Sequence, residues 1–365
     1  MNVALRAPIG ILDEHPDWSA RLIAELTKRS LPWEKIDHSN HSFAPGDRRP
    51  AYSVIVNRTS PSSHTRGHAR VLFYAEPLLA HYESLGVPVI NPVAAYRFEK
   101  SKALHLGLFE ELGVRYPRAV VVNHPSQVIE ALDRVGFPLV VKPNVGGSGA
   151  GIVRFGARAE VERSLDALDF GPDGTALVQE YVEPREGAIV RVEVLDGRYL
   201  YAIRIVRQAD AGFNLCPADI CQTPSMPPAS DPGACPIEAR PGLTVSRFDP
   251  PPDVIEAVLR LIRAASIDVG GVEYLVGKAD GNVYYYDVNA TSNFVADAAA
   301  VVGFDPTARF VDYIVRVAQA AGRLAPVGLD EPDDRGLVEG AELHKLSQGR
   351  RLVMNVGPDR NRAPM

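Results

Sequence analysis

Strand-like and helix-like segments alternate through the first 325 residues of this 365-residue chain. This alternation predicts an α/β fold rather than an all-α or all-β one. Tight-turn signals such as Asp196-Gly197 mark hairpins within the pattern. Residues 96–112 read as one helix and residues 208–253, rich in proline, as a long functional loop. Residues 1–92 resemble a small open α/β domain.

Composition excludes several classes of protein. The net charge of −6 does not predict a nucleic-acid clamp or a polybasic membrane anchor. Three cysteines exclude a disulfide framework and are typical of a reducing compartment. No apolar run approaches the roughly 18 residues of a membrane-spanning helix. We therefore expect a cytoplasmic protein with no nucleic-acid and no membrane partner.

The glycine loop, residues 146–151, has the sequence Gly146-Gly147-Ser148-Gly149-Ala150-Gly151. Its glycines leave backbone N–H groups free to surround an anion. No Lys-Ser/Thr pair follows, and Ile152 stands where a dinucleotide fingerprint needs its third glycine. The loop is therefore either a flap that closes over phosphates or a plain glycine hairpin.

Two lysines precede this loop. Lys142 lies in the apolar strand that leads into it, and a buried lysine requires an anionic partner. The alternative is a lysine that reaches solvent past the end of the strand. Lys102 lies on the preceding helix, where a solvated side chain is the simpler interpretation.

Three oxygen-bearing side chains occur in a later hairpin. Glu273 lies on its first strand, and Asp287 and Asn289 lie two positions apart near the end of its second strand, so their side chains share a face. Two carboxylates and an amide oxygen form a hard-oxygen set that suits Mg²⁺. A hydrogen-bonded turn cluster is the alternative.

An earlier hairpin contains two arginines. Arg191 and Glu193 share a strand face, and Arg204 lies on the partner strand. Two arginines from adjacent strands can bind one phosphate together. A surface cross-strand pair between Arg191 and Glu193 explains the pattern equally well.

In chain order, these features resemble the ATP-grasp superfamily, and within it the RimK-like ligases, which add amino acids to carboxylates. The resemblance extends over about residues 50–320. Its ordered set is more specific than any single motif. The matching positions are Lys102, FPLVVKP with Lys142, GGSGAG, QEYVE at 179–183, Arg191, Arg204, Asn214, GVEY with Glu273, and DVNA with Asp287 and Asn289.

The resemblance implies a role for each matching residue. Lys102 and Lys142 would hold the α- and β-phosphates of ATP, under the glycine loop. Arg191 and Arg204 would act as catalytic residues at the reacting phosphoryl group, and Asn214 and Arg58 would contact substrate. The adenine would be read by Gln179, Glu180, Tyr181 and Val182, and two Mg²⁺ ions, replaceable by Mn²⁺, would be bound by Glu273, Asp287 and Asn289.

The resemblance also implies a domain organisation, an N-terminal open α/β domain followed by a two-subdomain ATP-grasp fold. An N-terminal open-sheet domain would occupy residues 1–95 and a central subdomain with the flap residues 96–180. A C-terminal subdomain with the metal site would occupy residues 181–325, before a tail at 326–365.

The function implied is an ATP-dependent carboxylate–amine ligase that acts through an acyl phosphate. It would join an amino acid, peptide or small amine to a small-molecule or peptide carboxylate, as a homodimer or higher homo-oligomer if it self-associates. A small-molecule kinase on the same fold and a non-catalytic nucleotide-binding module are the alternatives.

The chain departs from the family pattern at several positions. Ile189-Val190-Arg191 stands where relatives have Asp-Ile-Arg, so the ribose-binding acid is missing. Either Glu183, Glu186 or Glu193 replaces it, or its place is unfilled. At the two metal-binding carboxylates, Glu273 stands where the family usually has Asp, and Asp287 stands where it usually has Glu. Residues 290–294 replace a turn of small residues and proline. Substrate specificity is therefore not transferable.

Overall fold

The structure is a computed structural model that describes residues 5–15, 17–147, 149–207 and 243–324. Two predicted site residues, Ser148 and Asn214, lie outside these ranges, as do most of the loop predicted at 208–253 and the tail predicted at 326–365. The described residues belong to one compact unit. None of their helices combines the length and the apolar character that crossing a bilayer requires.

The described residues contain thirteen strands arranged in three sheets. The strands are β1 Ile9–Leu12, β2 Trp33–Ile36, β3 Val54–Asn57, β4 Val89–Ile90, β5 Ala119–Val122, β6 Leu139–Pro143, β7 Val153–Phe155, β8 Ala176–Glu180, β9 Pro184–Leu195, β10 Arg198–Arg207, β11 Leu243–Phe248, β12 Val269–Gly277 and β13 Val283–Asn289.

Nine α-helices connect these strands within the described ranges. They are α1 Ala20–Lys28, α2 Val71–Ser84, α3 Val93–Glu99, α4 Lys102–Glu111, α5 Pro125–Val135, α6 Arg158–Ser164, α7 Pro252–Ala264, α8 Ala298–Val302 and α9 Pro306–Leu324. Short 3₁₀ helices cover Pro61–Arg66 and Leu165–Ala167.

The N-terminal sheet is parallel, with strand order β2-β1-β3-β4. Its central strands are apolar at successive positions because helices cover both faces. Val54 and Val56 pack on the side of α1 and α9, whereas Ile55 packs on the side of α2.

The central sheet is antiparallel, with strand order β5-β8-β6-β7. Leu139, Val141 and Val178 pack against α5 on one face. Because side chains alternate along a strand, the opposite face presents Lys142 and, through the pairing of Val140 with Gln179, the Gln179 side chain. This second face is directed away from the apolar core of the sheet.

The C-terminal sheet is also antiparallel, with strand order β11-β10-β9-β12-β13. Val190 and Val192 pack with α7 on one face, whereas Ile189 and Ile203 join the core formed with α9 on the other. The prediction of a loop throughout 208–253 is wrong at its C-terminal end, because β11 pairs with β10. The exposed edge of β10 supplies that pairing, which the proline-rich composition of the segment does not reveal.

The helix predicted over residues 96–112 is two helices, α3 and α4. Ser101 between them has an extended backbone, and its hydroxyl accepts a hydrogen bond from the Leu104 N–H at 3.3 Å. Asn144 Oδ1 accepts a second one from the Ala103 N–H at 2.8 Å. These two acceptors satisfy N–H groups of the first turn of α4 and place Lys102 at its start.

The three sheets lie in the segments that the predicted domains would occupy. The boundaries of those domains remain a prediction.

Candidate active site

A cavity of about 170 Å³ is lined by residues from all three sheets and their connections. The N-terminal sheet contributes Trp18 and the segment 60–62. The central sheet and the segments next to it contribute Lys102, Lys142 and glycines of the glycine loop. The C-terminal sheet contributes Arg191, Glu193, Glu273, Asp287 and Asn289. Most of the residues predicted separately for phosphate and metal therefore line one space.

Lys142 is deeply buried, as predicted, with 6% of its surface exposed. Burial lowers the pKa of its ammonium group to about 8, although the nearby carboxylates of Asp287 and Glu273 act in the opposite direction. Lys102 Nζ donates a hydrogen bond to the carbonyl oxygen of Gly146 at 2.7 Å. Lys102 is thus bonded to the first residue of the glycine loop, and Lys142 lies in the strand that leads into the loop.

The predicted metal ligands lie together at one end of the β12–β13 hairpin. Glu273 is paired directly with Asp287, and Gly271 with Asn289. Asn289 Nδ2 donates to Asp287 Oδ2 at 3.3 Å, so its Oδ1 is not committed to that bond. Burial raises the pKa of Glu273, and the charge of Asp287 raises it further, against the opposing effect of Arg191.

His105 is a neighbour of this group that the sequence analysis did not select. Its Nδ1 lies 3.4 Å from Asp287 Oδ1, and its Nε2 is 2.8 Å from the carbonyl oxygen of Phe98. Burial opposes ionisation of Asp287, but His105, Lys102 and Lys142 together outweigh it and hold the pKa of Asp287 below its usual range. A single histidine on a helix gave no signal by which it could have been identified.

Arg191 connects two carboxylates within the cavity wall. Its Nε donates to Glu193 Oε1 at 2.6 Å and its Nη1 to Glu273 Oε1 at 3.0 Å. Burial opposes the charge on Arg191, but these carboxylates outweigh it and raise its pKa. Glu193 is 1% exposed, and its Oε2 has no hydrogen-bond partner among the described residues. A Cβ on Gly271 would lie 3.0 Å from Arg191 Nε, so this glycine provides the room that the guanidinium occupies.

The expected pair of arginines does not form. Arg191 is paired with Ile203, and Arg204 with Val190, so the two arginine side chains lie on opposite faces of the sheet. Arg204 Nη2 instead donates to Glu186 Oε2 at 2.5 Å on the surface. A β-bulge between Tyr199 and Tyr201 shifts the register by one residue and is the cause.

The segment predicted to read adenine, Gln179 to Val182, does not line the cavity, and neither does Glu183. Gln179 shares a sheet face with Lys142, whereas Glu180 accepts a hydrogen bond from Arg118 Nε at 3.0 Å. Among the candidates for a ribose-binding acid, Glu183 is paired with Lys278 at 2.7 Å. The nucleotide-base roles of these residues therefore remain predictions.

Arg58, predicted to contact substrate, does not line the cavity either. Only 3% of it is exposed, and its Nη1 donates to the carbonyl oxygen of Ser292 at 2.7 Å. Its Nη2 donates to Asn293 Oδ1. Arg58 therefore supports the segment 290–294, whose residues 291–294 line the cavity.

Glu99 holds the same segment from another side. Its Oε1 accepts a hydrogen bond from Thr291 Oγ1 at 2.5 Å, and its Oε2 accepts from the backbone N–H groups of Ala290 and Thr291. Burial raises the pKa of Glu99, although these hydrogen bonds act to lower it. Glu99 is the last residue of α3 and is close to Lys102 in the sequence. Only the fold brings its side chain to the segment 290–294.

The donor set fits a hard divalent cation. In the part of the chain that the structure describes, no group of three or more His, Cys, Asp or Glu side chains could hold a metal ion. The candidate set is instead two carboxylates and one amide, which suits an ion that also binds substrate phosphates. The mutual repulsion of Glu273 and Asp287 is what such a cation would relieve.

Solved structures define the class of fold. The ATP-grasp ligase PsnB in complex with a minimal precursor superposes with a TM-score of 0.59 at 18% identity, over 86% of this chain and 100% of PsnB. A D-alanine–D-alanine ligase from Bacillus anthracis superposes with a TM-score of 0.60 at 19% identity, over 87% of this chain and 99% of that one. The protein has the ATP-grasp fold.

Sequence comparison narrows this class. Residues 99–218 match the model of the RimK-like ATP-grasp domain. A probable alpha-L-glutamate ligase 1 of Shewanella denitrificans is 31% identical over 168 residues, which are 46% of this chain and 53% of that protein. A probable alpha-L-glutamate ligase of Vibrio vulnificus is 29% identical over 46% of this chain and 52% of its own length. Residues 99–218 are thus similar to the RimK-like ATP-grasp domain, and the chain spans about half the length of the curated relatives it matches.

Proposed function

We propose that this protein is an ATP-dependent carboxylate–amine ligase that acts through an acyl-phosphate intermediate. The observation that supports this most directly is the single cavity in which Lys102 and Lys142 lie with Glu273, Asp287 and Asn289. Cations that bind phosphates and oxygen ligands that bind Mg²⁺ are what the transfer of a phosphoryl group from ATP requires.

The substrates we propose are an amino acid or peptide as amine and a small-molecule or peptide acid. The matched relatives are named alpha-L-glutamate ligases, and one structural neighbour was solved with a precursor peptide. Several acidic and polar side chains line the cavity beside the basic ones, and such a mixture suits zwitterionic substrates.

Lys102 and Lys142 would bind the α- and β-phosphates, and the glycine loop would cover the β- and γ-phosphates. Gln179, Glu180, Tyr181, Val182 and Glu183 would lie at the base and ribose. Burial destabilises the charged form of Lys142. A bound triphosphate would supply the anionic partner that stabilises its ammonium group.

Glu273, Asp287 and Asn289 would hold Mg²⁺, with two ions and exchange for Mn²⁺ as the finer proposal. The metal would supply Lewis-acid stabilisation of phosphate charge. Arg191 would hold Glu273 in place through their 3.0 Å contact and face the reacting phosphoryl group. Arg204 has no part in this proposal, because its side chain lies on the other face of the sheet.

The reaction would proceed in two transfers. An oxygen of the substrate carboxylate forms a bond to the γ-phosphorus, and the bond from phosphorus to the β–γ bridging oxygen breaks to release ADP. The amine nitrogen then bonds to the acyl carbon and loses a proton, which phosphate accepts as it leaves with the electron pair of the C–O bond. Lys142 and Arg191 would stabilise the charge as it moves, and the glycine loop would keep water from the acyl phosphate.

We further propose that the three sheets correspond to domains at 1–95, 96–180 and 181–325, with ATP bound between the latter two. Action in the cytoplasm is part of the same proposal.

ADP release is the measurement that tests this function. The proteinogenic L-amino acids, their N-acetyl derivatives and their amides are supplied as acids and amines with Mg-ATP, and products are identified by mass spectrometry. We expect ADP release that requires an acid and an amine, and an amide product. Phosphorylated product without an amine would indicate a kinase, and nucleotide binding without turnover under any mixture a binding module.

Two variants test the residues. Lys142→Ala and Asp287→Ala should abolish substrate-dependent ADP release while the cooperative unfolding transition is retained. Glu25→Gln is the matched control, because Glu25 is a buried partner of Arg29 on α1, outside the cavity. Wild-type turnover in either cavity variant would contradict the assignment.

A further inference from the structure

We propose that Asn293, oriented by Arg58, donates a hydrogen bond to a carboxylate oxygen of a substrate. This inference rests on the proposed function and names a specificity residue for it. The segment that contains Asn293 is one in which this chain departs from the family pattern, so the inference concerns residues of this chain rather than a shared motif.

The orientation of the Asn293 carboxamide follows from the chemistry of its partner. A guanidinium has five N–H donors and no acceptor, so the atom of Asn293 that faces Arg58 Nη2 must be the oxygen Oδ1. The Nδ2 group then points away from Arg58. The rotation that would exchange the two atoms is excluded because it would bring two donors together.

Arg58 is itself held rigidly. Its second terminal nitrogen donates to the carbonyl oxygen of Ser292 at 2.7 Å, so one planar group binds two successive residues. With 3% of its surface exposed, Arg58 has no room to follow a moving loop. Arg58 therefore fixes which atom of the Asn293 carboxamide faces it, and a substrate would reach Nδ2 when the side chains that enclose this atom move aside.

The donor that this arrangement leaves is unpaired. Asn293 lines the cavity, and its Nδ2 is enclosed and has no hydrogen-bond partner among the described residues. Trp18, which is far from Asn293 in the sequence, lines the same cavity. Its Nε1 is also an enclosed donor without a hydrogen-bond partner among the described residues. Buried donors are normally satisfied, so two of them at one cavity indicate a ligand that brings acceptors.

The acceptor we assign to these donors is a substrate carboxylate, and a phosphate oxygen of ATP is the alternative that the Mg-ATP affinity measurement tests. Both donors are uncharged and neither can accept a hydrogen bond at these atoms, which excludes an ammonium as their partner. The proposed reaction brings carboxylate oxygens from two sources, the acid to be phosphorylated and the unreacted carboxylate of an amino-acid amine. Both substrates present the same carboxylate group to the donors. The two arms of the experiment below distinguish the carboxylate of the acid from that of the amine.

Asn293→Asp is the informative variant. It keeps the size of the side chain and an oxygen for Arg58, but it replaces the donor with a carboxylate oxygen that repels a substrate carboxylate. In the first arm hydroxylamine, which has no carboxylate, is the amine, and KM is measured for the acid of the panel with the highest turnover. In the second arm KM is compared between amino-acid amines and their carboxamides.

We expect KM to rise about tenfold or more in one arm, as loss of a buried hydrogen bond and a new repulsion require. The affinity for Mg-ATP, measured by calorimetry, should stay within twofold of the wild type. A rise in the first arm assigns the contact to the acid, and a rise for amino-acid amines but not their carboxamides assigns it to the amine. Asn123→Asp is the matched control, because Asn123 is exposed and lies outside the cavity. It should change neither KM nor the affinity for Mg-ATP.

The positioning role of Arg58 is tested by a double-variant cycle. Arg58→Lys keeps the charge but not the planar fork, and it should raise the same KM. In an Asn293→Ala background it should add less than twofold, because the group it orients is absent. Independent, multiplying effects on KM would show that Arg58 does not act through Asn293 and would overturn its positioning role.

Two results overturn the inference about Asn293. One is a KM unchanged in both arms of Asn293→Asp, and the other is an equal loss of Mg-ATP affinity. Absence of ADP release by the wild type would instead refute the proposed function, and this inference with it.

Discussion

Lys142 has only apolar residues before it on its strand, and the folded protein encloses its ammonium group. Burial without a bonded carboxylate lowers its pKa to about 8 from the ordinary 10.5. The folded protein therefore bears an electrostatic penalty at neutral pH that a bound anion would remove. Such a penalty is typical of binding sites and rare in residues that serve stability alone.

The pH dependence of stability should reveal this residue. Between about pH 8 and 10.5 the unfolded chain keeps a proton at Lys142 that the folded protein has released. Because the unfolded state binds more protons there, the free energy of unfolding rises with pH. Relative to Lys142→Met, the wild type should gain on the order of 1–3 kcal/mol from pH 7.5 to 10 in denaturant titrations without nucleotide.

Lys278→Met is the control for that measurement, because Lys278 is exposed and paired with Glu183 on the surface. Its curve should run parallel to that of the wild type. Parallel curves for Lys142→Met as well would mean that the lysine is not perturbed by burial.

At the level of elements, the end of the β12–β13 hairpin is the most constrained part of the site. Gly270 and Gly271 follow the first residue of β12, beside the proposed metal ligands. A Cβ on Gly270 would overlap the carbonyl oxygen of Asn289 and lie 2.9 Å from Ile267 Cγ2. The close approach of these backbones therefore requires glycine.

Gly270→Ala should lower the free energy of unfolding by about 2 kcal/mol or more, because backbone atoms must move apart. It should also weaken binding of Mg-ATP, since Asn289 would be displaced. Denaturant unfolding and calorimetry measure the two effects. Stability equal to that of the wild type would show that the hairpin is loose at this point.

Gly107→Ala is the matched control. Gly107 lies exposed in α4, and a Cβ there would meet nothing within 4 Å. Alanine is the better helix former, so this variant should gain about 0.5–1 kcal/mol.

At the scale of the whole molecule, Asn91 joins the N-terminal sheet to the C-terminal sheet. Its Oδ1 accepts hydrogen bonds from the N–H groups of Asp268 and Val269 at 2.9 and 3.2 Å, and its Nδ2 donates to the carbonyl oxygens of Val269 and Ala290. Its own N–H donates to Asp268 Oδ2 at 2.8 Å. One buried side chain thus satisfies backbone groups beside the cavity.

Asn91→Ala should destabilise the protein by about 2–4 kcal/mol, because it leaves several buried backbone groups unpaired. Asn123→Ala, at an exposed position, should stay within about 0.5 kcal/mol of the wild type. Denaturant unfolding of the two variants makes the comparison. A small effect at Asn91 would mean that water replaces its hydrogen bonds and that the two sheets are not joined there.

The amino-acid sequence by itself determined the α/β class, the two hairpins, the burial of Lys142 and the shared position of Glu273, Asp287 and Asn289. Each depends on the alternation of neighbouring residues, which is local information. The glycine loop was identifiable for the same reason.

Only the tertiary structure decided the rest. A regular hairpin would pair Arg204 with Ile189 and keep it on the face of Arg191, but one bulge reverses that face. The break between α3 and α4 depends on Asn144, which follows β6, and Arg58 reaches residues 292 and 293 rather than the cavity. Register shifts and hydrogen bonds between distant segments depend on how the whole chain packs, and local periodicity contains no record of them.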